Sequence, residues 1–203
     1  MGQSKTIGLY FGTFNPIHIG HLNIAHYFAH HSNLDEVWLV VTPENPLKNK
    51  HSLLADYHRA ALVDIALEDY PRLKTSRVEF DLPQPNYTVN TLAVLQEQNP
   101  EHRFALIMGE DNLQNLHKWK NYEWLLEHIP ILVYPRISGR EESRSKTYHK
   151  GHITQVKAPV FELSSTYIRK RIERGEDIRP MLPEKVWRYI DEMNFYKKKP
   201  PSL

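Results

Sequence analysis

The chain has no cysteine, which excludes a disulfide framework and any thiolate metal site. That fits a reducing compartment, and a cytoplasmic location is expected. A strong charge of one sign is also missing. Lys and Arg number 26 against 24 Asp and Glu, a formal net charge of +2. So mild a balance argues against nucleic acid as the main partner. No uncharged stretch approaches the ~20 residues that cross a bilayer. The segment Met1 to Thr6 is polar and lacks the apolar centre of a signal peptide, so no membrane partner is expected. No internal repeat is visible, which speaks against a solenoid. What is present is 203 residues, 40% hydrophobic and 25% charged, enough for one good-sized core or a domain with a small annex.

Apolar runs alternate with segments of helical period. Ile7–Phe11, Val37–Val41, Val78–Phe80, Phe104–Met108 and Ile131–Tyr134 read as buried strands. Leu22–His31, Tyr57–Leu67, Val89–Gln98 and Asn112–His128 read as helices, the last broken near Asn121. This alternation predicts an α/β fold, a parallel sheet with helices on both faces, whose ligands bind outside the carboxyl ends of the strands. Residues 136–157 are polar, basic and without period, the pattern of a mobile surface loop. A short strand over Val160–Leu163 is expected next, then a helix Tyr167–Arg174 ended by Gly175 and a last helix Glu184–Met193 after Pro183. The lysine-rich tail from Lys197 reads as frayed.

The most informative stretch is Phe11-Gly12-Thr13-Phe14-Asn15-Pro16-Ile17-His18-Ile19-Gly20-His21, which lies between a strand and a helix. The start of a helix offers unpaired N–H groups and the positive end of its dipole, and phosphate suits such a place. His18 and His21 can both donate N–H to phosphate oxygens. As an isolated pair they would equally suit half a metal site, but no nearby Cys or Asp completes a ligand set. A second helix start, Ser164-Ser165-Thr166-Tyr167-Ile168-Arg169, offers hydroxyls, backbone N–H groups and a guanidinium one turn in.

These two segments resemble the phosphate-binding turn and the second signature of the bacterial nicotinate-mononucleotide adenylyltransferases, a branch of the nucleotidylyltransferase superfamily. Asn86-Tyr87-Thr88 resembles that family's Ser-Tyr-Thr segment. Met108-Gly109-Glu110-Asp111 with Trp119 resembles its Gly-x-Asp segment and following tryptophan. The likeness spans nearly the whole chain. Phe11 departs from a glycine, and Asn15 and Asn90 from acids, that are frequent in the family.

The resemblance implies a Rossmann-like, doubly wound sheet with a small helical C-terminal segment. It also implies one nucleotidyltransferase domain over 1–203, with the main sheet in 1–135, the loop in 136–157 and the second ATP motif in 158–197. It assigns Gly12, Thr13, Phe14, His18, His21, Gly109, Asp111, Ser164, Ser165 and Arg169 to ATP. Thr13, Lys48, Thr88 and Trp119 fall to the pyridine nucleotide, and His18, His21 and Arg169 to catalysis. The reaction implied is adenylyl transfer from ATP to nicotinate mononucleotide, by a monomer or small homo-oligomer. Mg²⁺ would be carried by the ATP phosphates, with no protein metal ligand.

Two features point elsewhere. His26, His30 and His31 could suggest a metal patch, although a solvated helix face accounts for them. The string His18-Ile19-Gly20-His21 also occurs in class I aminoacyl-tRNA synthetases, which need far more chain. The alternatives to be separated are transfer to another phosphorylated acceptor, such as phosphopantetheine, and a nucleotide sensor without turnover.

Overall fold

The computed structural model describes residues 3–43, 53–135 and 152–198. Among them are six strands: β1 (Thr6–Gly12), β2 (Glu36–Val41), β3 (Leu73–Ser76), β4 (Arg103–Gly109), β5 (Ile131–Tyr134) and β6 (Ile153–Gln155). All pair in parallel, in the order β3-β2-β1-β4-β5-β6. The winding reverses between β1 and β4, and a crevice opens outside the carboxyl ends of strands at such a reversal.

Side-chain alternation along the strands divides the core into two layers. Ile7 and Leu9 of β1 and Phe104, Leu106 and Met108 of β4 face one side. There they meet α3 (Thr88–Gln98), α4 (Glu110–Gln114) and α5 (Tyr122–His128). Tyr10, Leu39 and Ile107 face the other side and meet α1 (Ile19–His31), α2 (Asp56–Leu67), α6 (Ser165–Glu173) and α7 (Glu184–Glu192). The expected α/β sheet with helices on both faces is therefore present. No described helix is long and apolar enough to cross a membrane.

Three expectations change. Val78–Phe80 is a 3-10 turn and not a strand; the strand is the preceding Leu73–Ser76, at the edge of the sheet. An edge strand with Lys74 exposed carries little apolar signal, whereas Val78 and Phe80 pack on the core from a turn. Val160–Leu163 is not a strand either. The sixth strand lies inside the segment read as loop, with Ile131 opposite Ile153, and its side chains are half-buried or exposed. Residues 136–151 of that segment lie outside the described residues. The expected long fourth helix is α4, a 3-10 turn over Leu116–Lys118, and α5; the break falls at Asn121, whose φ is +52°.

Candidate active site

The turn after β1 is built from both ends. Phe14 takes a left-handed φ of +43°, a conformation that costs a non-glycine residue about 1–3 kcal/mol. Its ring is fully buried and packs edge-on against Tyr10 and His21, centroids 5.9 and 5.1 Å away. A Cβ at Gly12 would stand 2.8 Å from that ring, so only glycine fits there. The Asn15–Pro16 peptide is cis. His18 caps α1: its Nδ1 accepts from the His21 backbone N–H at 3.4 Å. In the neutral ring the proton is therefore on Nε2. The His18 and His21 rings stack, centroids 3.7 Å apart and 22° from parallel. Gly20 permits this, because a Cβ there would meet His18 Nδ1 at 3.0 Å.

The second helix start meets the first. Ser164 caps α6, accepting from the Tyr167 N–H at 3.2 Å. The Ser165 hydroxyl donates to the Pro16 carbonyl at 2.9 Å. Arg169 donates to the Asn15 carbonyl at 2.7 Å and to the Thr166 hydroxyl at 3.2 Å. Burial pushes its pKa down, opposed by Tyr196, yet a guanidinium stays charged. Two helix N-termini, two imidazoles and one guanidinium thus converge where the sheet reverses.

A cavity of about 360 Å³ lies between them. Gly12, Thr13, Phe14, His18, His21, Ser164, Ser165, Arg169 and Trp119 all line it. Gly109 and Asp111 do not; they occupy the start of α4, between the lining residues Met108 and Asn112. Thr88 opens α3 beyond the cavity wall. Its neighbour Tyr87 lies under the Lys120 ammonium, 4.6 Å from the ring centroid. That contact ties the Thr88 segment to the Trp119 segment. Lys48 lies outside the described residues. His26 and His30 are exposed on α1, rings 4.3 Å apart, and no group of three metal-ligating side chains occurs among the described residues.

Sequence reasoning missed Tyr10 and Tyr134, whose hydroxyls stand 3.3 Å apart in the cavity lining. Their position at the carboxyl ends of two parallel strands was the available signal. It also passed over Asn112. Arg59 is fully buried. It donates to the carbonyls of Thr13, Thr42 and Leu54 at 2.5, 2.8 and 3.1 Å and pairs with Asp56, so its charge is satisfied without solvent.

The fold and this cradle define a nucleotide-binding α/β transferase class, and a family model described as cytidylyltransferase-like matches residues 9–171. A "Probable nicotinate-nucleotide adenylyltransferase" of Flavobacterium psychrophilum is 60% identical over 95% of this chain and 99% of its own. One so named from Christiangramia forsetii is 58% identical over 96% and 100%. Among solved structures, the Plasmodium falciparum nicotinic acid mononucleotide adenylyltransferase complexed with NaAD superposes with a TM-score of 0.77, covering 95% of this chain and 97% of that one. At 20% identity that likeness concerns the fold. The chain belongs to the nicotinate-nucleotide adenylyltransferase family of cytidylyltransferase-like proteins.

Proposed function

We propose that the chain transfers the adenylyl group of ATP to nicotinate mononucleotide, giving nicotinate adenine dinucleotide and pyrophosphate, a step of NAD biosynthesis. The observation that carries this is the meeting of two helix N-termini, the stacked His18–His21 pair and Arg169 at one cavity. Family membership supports the choice of acceptor. Nucleotide substrates suit a cavity walled by donors of hydrogen bonds.

The 5′-phosphate of the mononucleotide attacks the α-phosphorus of ATP in line. The new P–O bond forms as the bond to the β-phosphate oxygen breaks, and pyrophosphate carries away the charge. The nucleophile is already ionised, so no general base is needed, and Asn15 in place of an acid removes nothing essential. Catalysis then rests on positioning and on stabilising negative charge. His18 Nε2–H, His21 and Arg169 serve the phosphates, with Gly12, Thr13, Phe14, Ser164 and Ser165 completing the cradle. Gly109 and Asp111 serve the ribose, the carboxylate accepting from its hydroxyls. Trp119 stacks on the pyridine ring, with Thr88, Thr13 and Lys48 as further contacts on that side. Among the described residues the cavity wall supplies imidazole, hydroxyl and guanidinium groups and no carboxylate, which suits Mg²⁺ entering on the triphosphate. The ion would neutralise charge on the phosphates.

In this reading residues 1–203 act as one nucleotidyltransferase domain in the cytoplasm, as a monomer or small homo-oligomer. The test is a product assay with ATP, Mg²⁺ and, in parallel, nicotinate mononucleotide, nicotinamide mononucleotide or phosphopantetheine. A dinucleotide formed fastest from the nicotinate substrate is expected. Turnover only with phosphopantetheine would overturn the acceptor, and no turnover with ATP bound would leave a nucleotide sensor.

A further inference from the structure

The C-terminal segment reaches back to the phosphate-facing turn. After α7 the backbone reverses through two left-handed residues, Asn194 at φ +52° and Tyr196 at φ +62°. The Phe195 N–H donates to the Ile190 carbonyl at 3.0 Å. Its ring packs edge-on to His58, centroids 4.6 Å apart. Lys197 pairs with Asp191 at 2.7 Å. This hook delivers the Tyr196 hydroxyl to Asn15 Oδ1 at 2.7 Å, across 181 residues of sequence.

Asn15 is a junction. It is only 4% exposed. Its Oδ1 also accepts from the Leu54 N–H at 3.3 Å, and its carbonyl accepts from Arg169 at 2.7 Å. Burial pushes the Tyr196 phenol up, against the pull of Arg169 and Arg59. It therefore remains a protonated donor at physiological pH. Tyr196 does not line the cavity, and its hydrogen bond toward the site is the one to Asn15.

We propose that Tyr196 is a positioning residue for adenylyl transfer, fixing Asn15 and, through Asn15, the phosphate-facing turn and the Arg169 guanidinium. This rests on the adenylyl-transfer reading above. The side chain touches no substrate. It sets the geometry in which the triphosphate is held, and small displacements of such a frame cost rate steeply.

The test is Tyr196→Phe in the full chain, which keeps the ring and removes one donor. Its kcat/KM for ATP should fall about tenfold, while KM for nicotinate mononucleotide stays within about twofold. The melting temperature should drop by only about 2–4 °C. Tyr189→Phe is the control: it removes a hydroxyl from the same packing cluster, where the partner is His58 at 3.4 Å, and should leave both constants unchanged. In an Asn15→Ala background Tyr196→Phe should add nothing, because the acceptor is gone. Unchanged ATP kinetics, an equal loss in Tyr189→Phe, or full additivity with Asn15→Ala would each overturn the proposal. If the parent chain makes no dinucleotide, the adenylyl-transfer reading falls. ATP titration calorimetry then decides alone: about tenfold weaker binding in Tyr196→Phe sustains the positioning role, and equal binding ends it.

Discussion

His21 carries the sharpest prediction at the scale of single residues. Its ring is held by the stack on His18 and by the edges of Tyr10 and Phe14, so in the proposed reaction little entropy remains to be lost on meeting a phosphate. Its hydrogen bond should strengthen as charge builds on the α-phosphate. His21→Ala should therefore lower kcat by roughly 10²–10³ and change KM for ATP far less, in steady-state kinetics. Trp119 should behave in the opposite way. A stacking partner binds ground state and transition state alike, so Trp119→Leu should raise KM for the mononucleotide by about tenfold with kcat nearly kept. The place of these residues at the cavity was legible in the sequence because each stands in a short segment with its neighbours. Tyr196 was not, since nothing local in Asn194-Phe195-Tyr196 points to a partner at position 15.

At the scale of elements, α6 is nine residues long, too short to persist without its cap and its packing. Ile168 and Ile172 bury one stripe, and Ser164 closes the N-terminus. The other end is closed by Gly175 at φ +73°, where the Glu176 N–H reaches back to the Arg171 carbonyl at 3.0 Å. Ser164→Ala should cost about 1 kcal/mol, read as a fall of about 2–4 °C in melting temperature. KM for ATP should rise with it, because Arg169 rides on the first turns of the same helix. Element by element, the sequence was readable where burial is deep. β1, β2, β4 and β5 show unbroken apolar runs, and α1, α2 and α3 show helical period. The two edge strands escaped because β3 and β6 are short and partly exposed, so pairing rather than burial defines them.

At the scale of the whole molecule, three strands are tied at their amino ends by one carboxylate. Glu36, at the start of β2, accepts from Lys5 at 2.5 Å, Lys74 at 3.0 Å and the Trp38 indole at 2.9 Å. Burial pushes its pKa up, but these donors outweigh burial and hold it down at about 2. A depressed carboxyl stabilises the fold above its ordinary value near 4.5, and that contribution is lost as pH falls toward 2. Glu36→Gln should lower the melting temperature at neutral pH, and the gap to the parent chain should close between pH ~5 and ~2. Glu79 works the other way: burial raises its pKa, despite the Thr91 hydroxyl at 2.7 Å, so its contribution is lost as pH rises through that raised value. The contacts that complete the proposed phosphate cradle, Ser165 to Pro16 and Arg169 to Asn15, join residues 149 and 154 positions apart. A chain emerging from a ribosome folds from its leading end. It can pair β1 with β2 and β4 well before α6 is made. The growing chain thus lacks both contacts, and the cover that α6 and α7 give one face of the sheet, until those helices are made, and a message truncated before them should yield a chain that forms no dinucleotide.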